Sequence, residues 1–118
     1  MDLSGEWDAV FIRMGEAVGA TFDAEEDIVK IIQKGNEFVG TSMIGGKRIG
    51  KNEEAVKGQL SSGKLEEIFI SNTIDQITFK LVWSKGRATI NEDGNLILLY
   101  SKVEGEPVHI TVVLKRKK

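Results

Sequence analysis

The residues from 108 to 116 alternate strictly: Val108, Ile110, Val112, Leu114 and Arg116 fall on one side, His109, Thr111, Val113 and Lys115 on the other. A period of two over nine residues is the signature of a strand with one buried face. The pattern recurs upstream with punctuation between repeats. Residues 95–102 put Leu96, Leu98 and Tyr100 on one face and Ile97 and Leu99 on the other. Before them, Asp93-Gly94 marks a hairpin, because both central positions of a type I′ turn need positive φ. Residues 77–83 alternate again, with Ile77, Phe79, Leu81 and Trp83 predicted inward and Thr78 and Lys80 outward. Ser84-Lys85-Gly86 then reads as a turn and residues 87–91 as a short strand.

Residues 5–14, 37–44, 54–60 and 64–71 read as further strands. Gly35-Asn36 and Ser61-Ser62-Gly63 serve as tight turns. One stretch stays open. Asp23, Glu25 and Glu26 suit a helix start, with Gly35 as its stop. The β-branched Ile28, Val29, Ile31 and Ile32 favour a strand instead. The expected fold is all-β: a single domain over residues 1–118, an antiparallel up-and-down barrel of eight to ten short strands, with one short helix at 23–34 as the alternative. Closure is the expected answer to the edge problem of a long meander.

Gly5-Glu6-Trp7 opens the first strand and Arg116 ends the last, in phase with the apolar stripe. This resembles the calycin superfamily of lipocalins, fatty-acid-binding proteins and avidins. The resemblance implies that Trp7 plugs one barrel end and that Arg116 lies across it. An indole seals such an end, and a guanidinium can stack on its face. Residues 35–42 and 79–83 are similar to an avidin hairpin and to the avidin strand whose tryptophan lines the biotin site. Tyr100 stands where a further tryptophan is expected, and biotin is not the expected ligand. Trp7 and Arg116 meet only if the strand number is even. Counting 27–34 as a strand gives nine. A helix there gives eight, and an extra strand at 47–50 gives ten.

Composition narrows the chemistry. The chain has no cysteine, one histidine and a net charge of −2. Thiol catalysis and cysteine metal sites are excluded, and the whole molecule exerts no strong pull on nucleic acid. No apolar run approaches the roughly 18 residues of a membrane span. The basic end, Lys115 to Lys118, reads as a solvated tail. His109 reads as a surface residue, and no nucleophile elbow accompanies it. Asp23, Glu25, Glu26 and Asp27 lack a calcium-loop pattern and read as a solvated turn or helix start. Gly45-Gly46-Lys47-Arg48 lacks Walker spacing. No catalytic residue, metal ligand or cofactor is expected.

The expected function is non-enzymatic binding of an apolar or amphiphilic small molecule inside the barrel. Phe11, Phe38, Phe79, Trp83 and Tyr100 are the candidate lining, and Lys47 and Arg48 the candidate rim cations, at the mouth opposite Trp7. Two alternatives stand beside it. One is a nucleotide-signal sensor, similar to the cyclic-dinucleotide-binding barrels of larger bacterial antiphage effectors. The other is an interaction barrel whose core is filled.

Overall fold

The computed structural model describes residues 2–15, 22–47, 49–74, 77–103 and 108–117. Eight strands run in chain order: β1 (Gly5–Gly15), β2 (Phe22–Lys34), β3 (Glu37–Ser42), β4 (Glu54–Ser61), β5 (Lys64–Ile74), β6 (Leu81–Ile90), β7 (Leu96–Lys102) and β8 (Val108–Arg116). Each pairs antiparallel with the next, and β8 returns to β1, so the sheet is a closed barrel. Closure leaves no strand edge to template another chain. In the closing ladder Trp7 stands opposite Arg116.

The ambiguous stretch is a strand. Val29 and Ile31 are buried while Lys30 and Ile32 are exposed, which is a period of two. Its branched side chains fit a pleat better than a helical turn. With that stretch a strand, the count falls from nine to eight at β6. The expected turn at Ser84-Lys85-Gly86 does not exist, and 81–90 is one continuous strand. Ser84 and Gly86 point inward there. A Cβ on Gly86 would lie 2.3 Å from the Tyr100 carbonyl oxygen, so glycine permits close strand pairing rather than a turn.

The turns differ between the two ends. At the end holding Trp7 the connections are short. Ser62 and Gly63 both have positive φ, at 51° and 76°, and join the paired residues Ser61 and Lys64 as a two-residue hairpin. Gly35, at φ 60°, opens another. The hairpin near Asp93-Gly94 is longer than expected. Gly94 donates its N–H to the Asn91 carbonyl, and the Asn91 side chain accepts the N–H groups of Asn95 and Leu96. Only Gly94 of that pair takes positive φ. At the opposite end lie the long connections, including 43–53 and the one leading into β6 at Leu81.

Candidate functional surfaces

The barrel interior is where the expected ligand would sit. Trp7, Ala9 and Phe11 of β1, Val29 and Ile31 of β2, Phe38 of β3 and Val56 of β4 are buried together. With Ile68, Ile70, Ile97, Leu99, Ile110, Val112 and Leu114 they form one apolar cluster. None of these side chains is more than 3% accessible. A cavity wide enough for water would leave accessible surface on its walls. Two inward glycines show the same tightness. A Cβ on Gly40 would come within 2.6 Å of Val29 and 2.7 Å of Val56, and one on Gly58 within 2.5 Å of Ile68. Phe11 and Phe38 are therefore packed core.

The other expected lining residues are not inside. Phe79 precedes β6, is 81% exposed and has φ 58°, so it cannot continue an extended strand. Ile77 beside it is 88% exposed. Both correct the expectation that 77–83 forms one inward-facing stripe. Trp83 lies on the outer wall. Its neighbour Ser84 pairs with buried Ile70, which fixes Ser84 inward and Trp83 outward. Tyr100 also faces out, between inward Leu99 and Ser101. Lys47 donates its backbone N–H to the Glu25 carboxylate at 3.1 Å, on the connection after β3. Arg48 lies outside the described residues.

At the Trp7 end the indole is wholly buried, and its Nε1–H donates to the Leu3 carbonyl at 3.0 Å. The Arg116 guanidinium sits 4.4 Å from the ring centroid. It donates to the carbonyls of Asp2, Ser4 and Gly94, tying the N-terminal segment, β8 and the β6–β7 hairpin into one closure. Such contacts combine cation–π attraction with charge-assisted bonds. Asp2 accepts the Ser4 N–H, which holds its carboxyl below the usual carboxylate range, with Arg116 adding to the effect.

The opposite end closes differently. Asp27 points inward and is 5% exposed. It accepts the Ser42 hydroxyl, the Ile28 N–H at 2.7 Å and the Ile44 N–H at 3.0 Å. Ser42 in turn accepts the Gly45 N–H. Glu25 occupies the space a Cβ on Gly46 would need. These contacts fold the 43–53 connection back, and its Ile49 joins the core at 2% exposure. Asp27 and Glu25 are thus neither a solvated turn nor a helix start. Their shared parity with Val29 and Ile31 was the available sign, masked by the dense acidic run. Among the described residues no cluster of three or more metal-ligating side chains forms.

Outside, cations and rings interleave. Lys57 Nζ lies 4.1 Å over the Trp83 ring and 5.7 Å from Phe69. Arg87 lies 4.9 Å over Tyr100, whose ring meets His109 at 5.6 Å. A groove of about 400 Å³ opens on the neighbouring wall among Val39, Lys57, Gln59, Glu67 and Phe69. At the end away from Trp7, exposed Met14, Ile44, Ile77 and Phe79 form an apolar rim. No family model matches the chain, and no curated protein does.

Proposed function

We propose that this chain is a non-enzymatic binding module that uses its barrel as a rigid scaffold and meets its target on the outer wall and the loops. The observation that carries this reading is the packed interior, where side chains from every strand occupy the space a calycin would give its ligand. What supports a calycin relationship is narrower: the Trp7–Arg116 stack and the eight-strand meander. Small eight-stranded barrels are filled by side chains as readily as they are hollow. His109, the one histidine, sits on the wall against Tyr100. The test is a titration with a fatty-acid series and an apolar dye, followed by melting temperature. No saturable rise is expected. A saturable rise with one chain length would replace this reading with an internal ligand.

A second reading keeps the small amphiphilic ligand but moves it to the rim. Its support is the exposure of Ile44 and Phe79 at the end that also carries Lys47, Lys51 and Lys80. Tryptophan fluorescence during titration with lipids and nucleotides, in wild type and in Lys47→Ala/Arg48→Ala, checks it. A response lost in the double variant supports the rim, and an unchanged response rejects it.

A further inference from the structure

The net charge of −2 averages over two unlike walls. On β6, β7 and β8 the outward positions carry Lys85, Arg87, Lys102 and Lys115, and none is acidic. On β1, β2 and β3 the outward positions include Glu6, Asp8, Glu26 and Glu37, against Lys30 and Lys34. Charge is therefore segregated around the barrel. The register places the basic and aromatic side chains in short lateral rows on neighbouring strands. Lys57 pairs with Phe69, and Phe69 with Lys85. Arg87 pairs with Tyr100, and Lys102 with His109. From β4 to β8 this band takes four of the eight strand spacings and wraps half the barrel, roughly 19 Å of arc at ~4.8 Å each.

We infer that this wall binds single-stranded nucleic acid, with Lys57, Lys85, Arg87 and Lys102 meeting phosphates and Trp83, Tyr100 and Phe69 offering ring faces to bases. The inference rests on the outer-surface reading above and names its ligand. Charge complementarity selects a polyanion, because β6 to β8 carry cations and no carboxylate, and such a surface attracts one from a distance. The rings select among polyanions. Flat aromatic faces between cations suit unstacked bases, whereas an acidic peptide or a lipid headgroup has no use for them. A duplex hides its base faces, so single strands are preferred. Lys57 and Arg87 lie over the faces of Trp83 and Tyr100, so each cation leaves its ring for a phosphate when a base stacks in its place. Glu54, Glu66 and Glu67 bring carboxylates to the β4–β5 flank of the band beside Lys57 and Phe69.

The test is fluorescence anisotropy with labelled single-stranded RNA and DNA twelve-mers, the matching duplex, and a poly-glutamate peptide, on the whole chain. Single strands are expected to bind most tightly. Four phosphate contacts predict that log K falls with log salt at a slope of about −3. Arg87→Ala and Tyr100→Ala should each weaken binding about tenfold or more, one phosphate or stacking contact apiece. Arg87→Ala should flatten the slope by about 0.7, and Tyr100→Ala should leave it unchanged. Lys30→Ala/Lys34→Ala, on the opposite wall, is expected to do nothing. Circular dichroism melts confirm that each variant folds, and one that does not is replaced by Lys85→Ala. No binding at low salt overturns the inference, as does binding indifferent to Arg87 and Tyr100. Poly-glutamate binding as tight as RNA also overturns it while leaving the outer-surface reading in place. A saturable apolar ligand in the fatty-acid titration would overturn the outer-surface reading, and with it the inference, whatever the anisotropy shows.

Discussion

The two ends of this barrel are both shut, yet by opposite chemistry. At the Trp7 end a large apolar ring fills the opening, and Arg116 straps it to three carbonyls. At the other end a connection folds inward, held by the carboxylates of Asp27 and Glu25. The first closure draws on buried area, which is non-directional and strong. The second draws on hydrogen bonds to a buried carboxylate, which are weaker net but costly to leave unmade. The apolar closure sits under tight hairpins and the polar one under long loops. A loop end is thereby specified without adding much core, which suits a region that meets partners.

Substitution can break this contrast. Trp7→Ala should destabilise by roughly 3–5 kcal/mol, as large aromatic truncations in cores do. Chemical denaturation measures it, and a loss under 1 kcal/mol would mean the indole fills no essential space. Asp27→Ala should cost less, about 1–3 kcal/mol, by leaving the Ile28 and Ile44 N–H groups and the Ser42 hydroxyl without their acceptor. Its mark is local. Amide exchange should accelerate over 43–47 and stay unchanged around Trp7. Uniform acceleration would show that the two closures are one cooperative unit.

Phe79→Gly separates the rim from the core by sign. Phe79 is exposed at φ 58°, a conformation that glycine adopts freely. The variant should be neutral or more stable by up to about 1 kcal/mol. A loss of the size seen for Trp7 would place Phe79 in the interior. The smallest effect concerns acid. The Asp2 carboxyl is lowered in the folded chain by the Ser4 N–H. A lowered carboxyl adds stability above its unfolded pKa and loses it as pH falls through the folded value. An NMR titration of Asp2 should find a midpoint below the usual value of about 3.9. A midpoint above it would show that the Ser4 contact is not made in solution.

Much of the fold was legible because alternation survives wherever the two faces differ in polarity. Residues 108–116 and 5–14 gave correct phases: inward Val112 and Leu114 face outward Thr111 and Lys115, and inward Trp7 alternates with Asp8. Phase failed where both faces are apolar. Leu98 and Tyr100 compete with Ile97 and Leu99, and an aromatic ring is as well placed on an outer wall carrying arginine as in a core. The stripe 77–83 failed for another reason. Its spacing is regular, but Phe79 adopts a left-handed conformation, and β5 carries an irregularity between Ser71 and Thr73 where Trp83 pairs. A single-residue shift inverts every face after it. The inward fold of the 43–53 connection was invisible because Asp27 finds its partners 15 and 17 residues away. The polarity of the walls was hidden too, since charge segregation appears only once the register is known.

Xenon tests the filled interior most directly. Xenon occupies apolar cavities of modest volume and ignores well-packed cores. Crystals of the wild-type chain under xenon pressure should show no xenon among Phe11, Phe38, Ile68 and Ile70. Crystals of Phe38→Ala should show it at the emptied position. Xenon inside the wild-type barrel would contradict the account and return the ligand to the interior.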